Sequence, residues 1–219
     1  MRQISEQSAD VKEQQEIPRR LALQRSTLVA HAALLSRSGA NIALTGTSGV
    51  GKSTLSAGLR RGGWVLLGDD TISVSMEMRD PVAQALFPRL RLKPDSASAV
   101  CGNDEKGVGV DSFGKHVFHL REVHDPKPLD AIFVLAEQEK TVSVESLRPS
   151  DAVAAIIANC FANDPDDIKE ASRRFGLAAD LASHVPVFRL SYPRDYGIIP
   201  RVAAAIDETL EDLANGKGV

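Results

Sequence analysis

The sequence predicts an α/β layered domain built around a central sheet. Three observations carry the prediction. Short apolar runs of strand length, such as residues 64–67 and Ala131–Leu135, are interspersed with segments of helix length and helical periodicity. A glycine-rich phrase, Gly46-Thr47-Ser48-Gly49-Val50-Gly51-Lys52-Ser53, lies between one such strand and a helix. The chain of 219 residues, 43% hydrophobic and 25% charged, has the size and composition of one globular unit with a single sizeable core.

Taken in order, residues 1–24 read as a polar tail or short helix, and residues 25–219 as the folded domain. Residues 26–35 read as one strand. A Gly-containing turn at 36–39 joins it in a hairpin to a second strand over 41–45. Residues 52–61 form a helix with Leu55 and Leu59 one turn apart, closed by Gly62-Gly63. A buried strand over 64–67 ends at Gly68-Asp69-Asp70. Residues 71–78 read as a strand, 80–87 as a short helix or loop, and 90–92 as a strand fragment. The stretch 95–114, rich in Ser, Gly and Asp, reads as a mobile loop over or beside the site. Strands come next over 115–120 and 131–135, then helices over 150–161, 165–175 and 177–184, a strand over 185–190, and a closing helix over 199–213.

Charge and cysteine content exclude several function classes. The 26 basic and 29 acidic side chains leave a formal charge of −3, so no net basic field draws the chain to nucleic acid or to an anionic membrane. Cys101 and Cys160 are far apart, which argues against a disulfide scaffold or zinc site and for a reducing cytoplasm. No apolar run approaches the ~20 residues that span a bilayer. Met1 to Glu6 lacks the apolar core of a signal peptide. The expectation is a cytoplasmic protein with neither nucleic acid nor membrane as partner.

The glycine-rich phrase matches GxxxxGK[ST] at every fixed position, in the strand–loop–helix context that the pattern requires. Gly46, Gly49 and Gly51 let the backbone curl so that the N–H groups of Thr47, Ser48 and Val50 converge on one concavity, which suits phosphate oxygens. The helix beyond it adds N-terminal donors and partial positive charge, with Thr54 extending the set into its first turn. Lys52 supplies a point charge for the β- and γ-phosphates, and the Ser53 hydroxyl is a hard oxygen ligand for Mg²⁺. ATP with Mg²⁺ is therefore the expected cofactor.

Asp69 and Asp70, at the end of the next strand, permit a division of labour. One acid can hold the metal while the other accepts a proton from an attacking hydroxyl.

These phrases resemble the catalytic domain of HPr kinase/phosphorylase and its shorter relatives. The loop, the phrase Leu66-Leu67-Gly68-Asp69-Asp70, the 17-residue step from Lys52 to Asp69 and the placement of His31 21 residues before Lys52 all agree with that family. Further likeness lies in Phe87-Pro88-Arg89-Leu90-Arg91-Leu92-Lys93-Pro94-Asp95 and in Val185-Pro186-Val187-Phe188-Arg189-Leu190-Ser191-Tyr192-Pro193-Arg194-Asp195. The resemblance implies a P-loop kinase domain of the HPr kinase/PEP carboxykinase type, a central mixed sheet flanked by helices. It implies that Asp69 is the general base toward a serine hydroxyl and that Asp70 helps Ser53 hold Mg²⁺. It also implies that His31 lies near the acidic pair or the phosphates. Arg89, Arg91 and Lys115 are candidates for phosphate or substrate contact. Full-length members assemble into oligomers, which carries over as an expectation of self-association.

The glycine-rich Glu-Ile-Arg-Gly-Leu-Gly phrase found after the acidic pair in HPr kinases has no counterpart here. The expected acceptor is accordingly a serine of a protein or peptide, as among the shorter relatives, rather than HPr in particular. Two alternatives stand beside a serine kinase: a small-molecule hydroxyl kinase, favoured by a closed lid over the site, and a non-catalytic ATP-binding regulatory switch.

Overall fold

Side-chain alternation along four central strands decides the layering of the molecule. The structure is a computed structural model that describes residues 16–77, 80–101, 107–120, 124–136, 139–164 and 166–216. Its first half runs α1 (residues 16–22), β1 (Thr27–Ala30), β2 (Ala32–Arg37), β3 (Ala40–Thr45), α2 (Lys52–Arg61), β4 (Val65–Gly68), β5 (Ile72–Ser75), β6 (Val82–Ala85), β7 (Arg89–Leu92) and α3 (Pro94–Val100). The second half runs β8 (Gly109–Val110), β9 (His116–His119), β10 (Lys127–Pro128), β11 (Ala131–Leu135), β12 (Ser143–Ser146), α4 (Pro149–Asn159), α5 (Ile168–His184), β13 (Val187–Ser191), a 3₁₀ turn (Tyr196–Ile198) and α6 (Ile199–Ala214).

The main sheet has six strands in the order β12-β13-β11-β3-β2-β4. It is mixed: β13, β11 and β3 run parallel, while the pairs β12/β13, β3/β2 and β2/β4 are antiparallel. Both faces are covered, as parallel strands require. On β2, β3, β11 and β13 one parity (Ala33, Leu35, Ile42, Leu44, Phe133, Phe188, Leu190) joins the core shared with α2, α3 and α6. The other parity (Ala32, Leu34, Ala43, Ile132, Val187) joins a second core with α4, α5 and an antiparallel sheet β1-β5-β6-β10. A third sheet, β7-β9-β8, lies beside α2.

Local chemistry sets the connections. Ser38 and Gly39, with φ of 51° and 90°, make the two-residue turn that joins β2 to β3, a geometry matched to strand twist. The Asp167 carboxylate caps α5 by accepting from the Lys169 and Glu170 amides at 2.8 and 3.3 Å.

Several expectations are corrected. The expected single strand over 26–35 is two, β1 and β2, broken at His31 and lying in different sheets. Residues 82–85 are a strand, paired to β5 and β10, rather than a helix or loop. Within the expected loop 95–114, Pro94–Val100 is a helix with Pro at its start, a position where the missing N–H costs nothing. Gly109–Val110 is a strand there, and residues 102–106 of that stretch lie outside the described residues, as does Met78 at the end of the expected strand 71–78. In place of the expected helices 165–175 and 177–184 there is one, Ile168–His184, running through Gly176; residue 165 lies outside the described residues. Among the described residues no helix is long and apolar enough to cross a membrane. Cys101 and Cys160 are not joined in a disulfide.

Candidate active site

The site forms where the chain passes from one sheet to another. His31 is the single residue between β1 of the four-stranded sheet and β2 of the six-stranded sheet. Residues 69–71 make the reverse passage from β4 to β5. The two passages touch: His31 Nδ1 donates to the Asp70 carbonyl oxygen at 2.7 Å. The His31 amide in turn donates to the Asn159 carbonyl at 2.8 Å, which ties the junction to the end of α4.

The loop Gly46–Ser53 leaves the central strand β3 and enters α2. Gly46 has φ of 141°, and a Cβ there would lie 2.8 Å from the Leu135 carbonyl oxygen, so the β11 backbone alone demands glycine. Gly51, at φ 110°, is the N-cap of α2. Lys52 is 5% exposed and folds back over its own loop, Nζ donating to the Gly46 and Thr47 carbonyls at 2.7 and 3.1 Å. Burial lowers the Lys52 pKa, and the charges of Asp69 and Asp70 oppose that shift.

The adjacent acids have different surroundings. Gly68 sets their position: a Cβ there would lie 2.4 Å from the Ala85 Cβ and 2.8 Å from the Phe87 carbonyl oxygen, so only glycine lets β4 pass this close to β6. Asp69 is 2% exposed, and its Oδ1 has no hydrogen-bond partner. Burial pushes its carboxyl up to about 6; hydrogen bonds from the Ser53 hydroxyl and from the Asp70 and Arg91 amides work the other way, and the Asp70 charge adds to the rise. Asp70 sits in the left-handed region at φ 81°. Its Oδ1 lies 3.4 Å from His31 Nδ1 and its Oδ2 accepts from Arg91 Nη1 at 3.4 Å.

His31 has its pKa lowered, by burial first and by the Lys52 charge second, with Asp70 pulling the other way. A carbonyl can only accept, so the Nδ1 contact places a hydrogen on that nitrogen and leaves Nε2 as the acceptor of the neutral ring.

Arg91 links Asp70 to a neighbouring turn. Its Nε donates to Asp111 Oδ2 at 2.7 Å, and Nη2 reaches the same oxygen. The other oxygen, Asp111 Oδ1, accepts from the Phe113 and Lys115 amides at 2.8 and 2.9 Å, which folds the turn between β8 and β9. Lys115, whose amide this turn holds, lines the cavity.

His31, Lys52, Asp70, Arg91 and Lys115 share one cavity of about 320 Å³. Ser48, Gly49, Val50, Gly51, Lys52, Ser53 and Thr54 line it, together with His31, Asp70, Arg91 and Lys115. Of the residues expected from sequence, Gly46, Thr47, Asp69 and Arg89 do not line it. The first two turn their carbonyls to Lys52, Asp69 is enclosed beside Ser53, and Arg89 is buried with its guanidinium 4.8 Å from the centre of the Phe87 ring. Sequence reasoning missed Asp111, and it gave no role to Tyr192, Arg194 and Tyr196, which also line the cavity. The available signal for the tyrosines was their position just beyond a parallel strand, where crevices of α/β sheets open.

No protein-family model matches the chain, and no curated protein matches it. Among solved structures it is similar to the Hpr(Ser) kinase/phosphatase from Coxiella burnetii, at 12% identity over 85% of this chain and 98% of that one, with a TM-score of 0.45. A likeness that distant carries no function; the chemistry has to be read from the site itself.

Proposed function

We propose that the chain is an ATP-dependent kinase that transfers the γ-phosphoryl group to a serine hydroxyl of a protein or peptide. The observation that carries this reading is one cavity in which a GxxxxGK[ST] loop faces the Asp70 carboxylate and the His31 imidazole. The loop amides and the N-terminus of α2 suit phosphate oxygens, and Lys52 is the cation beside them.

The residues around Ser53 fit Mg²⁺. Asp69 presents a buried oxygen without a partner next to the Ser53 hydroxyl, a hard-oxygen pair that a divalent cation would satisfy. When bound, Mg²⁺ neutralises charge on the β- and γ-oxygens.

The surroundings of the two acids favour exchanging the roles that the resemblance implied. Asp69, enclosed beside Ser53, suits the metal. Asp70, open to the cavity and oriented by His31 and Arg91, suits the acceptor. The serine oxygen attacks the γ-phosphorus, its proton passes to the Asp70 carboxylate, and the bond from the γ-phosphorus to the bridging oxygen breaks to release ADP. Arg91 holds the carboxylate in place. Positioning and charge neutralisation supply most of the catalysis.

The test is incubation with γ-labelled ATP and Mg²⁺, offering HPr, serine peptides and a metabolite panel in parallel. Label on a serine supports the proposal and names the acceptor class. Label on a metabolite transfers the assignment to a small-molecule kinase, and tight ATP binding without any transfer overturns catalysis in favour of a switch.

A further inference from the structure

We propose that the cavity end formed by Tyr192, Arg194 and Tyr196 holds the nucleoside of the bound triphosphate, with its base stacked on the Tyr196 ring. The inference rests on the nucleotide reading above and adds the half of the ligand that the glycine loop does not address.

In-line phosphoryl transfer fixes the direction. The attacking oxygen and the departing diphosphate lie on opposite sides of the transferred phosphorus. In the sheet order, the loop rises from β3, while His31 and Asp70 flank β2 and β4 on one side of it. The nucleoside therefore belongs on the other side, over β11 and β13. β13 ends at Ser191 and delivers Tyr192 directly to the cavity.

The residues there are built for that role. A Cβ on Gly51 would lie 3.5 Å from Tyr192 Oη, which places the phenol alongside the phosphate loop. Burial raises the Tyr192 hydroxyl to about 12, so it stays a neutral donor, and the nearby Arg194 charge opposes the rise. Asp195 rigidifies the 3₁₀ turn after it: its Oδ1 accepts from the Gly197 amide at 2.8 Å and its carbonyl accepts from the Ile198 amide at 3.2 Å. The turn presents Tyr196, 46% exposed, on the cavity wall beside the buried Ile199. An exposed aromatic face held on a rigid turn, next to an apolar wall and a cation, suits a base and the phosphates attached to it.

The experiment is calorimetric titration of the full chain with Mg²⁺·ATP and with Mg²⁺·tripolyphosphate, which carries the phosphates without a nucleoside. Tyr196→Ala is expected to weaken ATP about tenfold, the range of one base–aromatic stack, and to leave tripolyphosphate unchanged. Unchanged tripolyphosphate binding also reports that the variant is folded. Equal weakening of both ligands, or no change in ATP, overturns the assignment of the nucleoside end while leaving the phosphate loop intact. A wild-type chain that binds neither ligand overturns the nucleotide reading and this inference together.

Discussion

His31 Nδ1 meets the Asp70 carbonyl oxygen at 2.7 Å, and it does so where Asp70 holds a left-handed backbone at φ 81°. That conformation is unfavourable for a non-glycine residue, and the imidazole is one of the contacts that keeps it. The same contact fixes the histidine tautomer. Each of the two residues therefore determines the state in which the other is presented to the cavity.

Asp70→Asn isolates the carboxylate from the backbone it sits on, because asparagine tolerates the left-handed region. Turnover is expected to fall by about 10²-fold or more, with ATP affinity by calorimetry nearly unchanged. Turnover at the wild-type rate would remove Asp70 from the role of base. A parallel loss of ATP affinity would return it to the metal.

His31→Ala leaves the Asp70 carbonyl without its donor. Its effect belongs on turnover rather than on the Michaelis constant for ATP, with a reduction of about tenfold to a hundredfold. A rise in that constant at unchanged turnover would place His31 in nucleotide binding instead.

Asp69 gives a stability prediction with a definite sign. Its carboxyl is raised from 3.8 to about 6 on folding, by burial first. Below the unfolded value the group is neutral in both states and costs nothing. Above the folded value the native state bears a buried charge, so stability is lost as pH rises between the two. The stability of D69N relative to wild type, from urea unfolding in chelator, should improve by about 2 kcal/mol from pH 4 to pH 8. A flat difference across that range would mean that the acid is not buried as described.

Lys52→Ala removes the buried cation of the loop. Affinity for Mg²⁺·ATP should drop at least about tenfold, and tripolyphosphate should weaken in parallel, because the proposed partner of the lysine is the phosphate chain and not the nucleoside. Retained tripolyphosphate binding would show that the amides suffice without it.

Gly68→Ala tests the close passage of β4 against β6. The added methyl meets the Ala85 Cβ at 2.4 Å and a backbone oxygen at 2.8 Å, an overpacking worth about 1–3 kcal/mol. Thermal unfolding should register the loss, and turnover should fall with it because the two acids come directly after this residue. Wild-type stability would mean that β6 yields freely.

The parts of the site legible in the sequence are those whose chemistry is local. Gly46, Gly51, Lys52 and Ser53 lie within eight residues, and each has a backbone or charge requirement that residue type alone reveals. Asp69 and Asp70 could be named as a pair, but not told apart. Their difference is burial, which depends on Ser53 and on the passage of β4 beside β6. The break at His31 was invisible because residues 27–35 are apolar on both sides of it, and a strand facing two cores carries no periodic signal. β6 was hidden by its length of four residues and by the flanking prolines, Pro81 and Pro88. Tyr192 lies in the phrase Val185 to Asp195 and Tyr196 just beyond it, but neither carried a role there; only the sheet order brings them beside the loop.

One residue separates β1 from β2, and three separate β4 from β5. Side chains alternate along a strand, so inserting a single residue at either passage would turn one strand's core face outward or force a bulge beside the site. The stringent requirement here is thus one of chain length. A survey scored on folding rather than on turnover should find substitutions at His31 and Thr71 tolerated more often than any insertion or deletion there, a pattern opposite to that of ordinary surface connections.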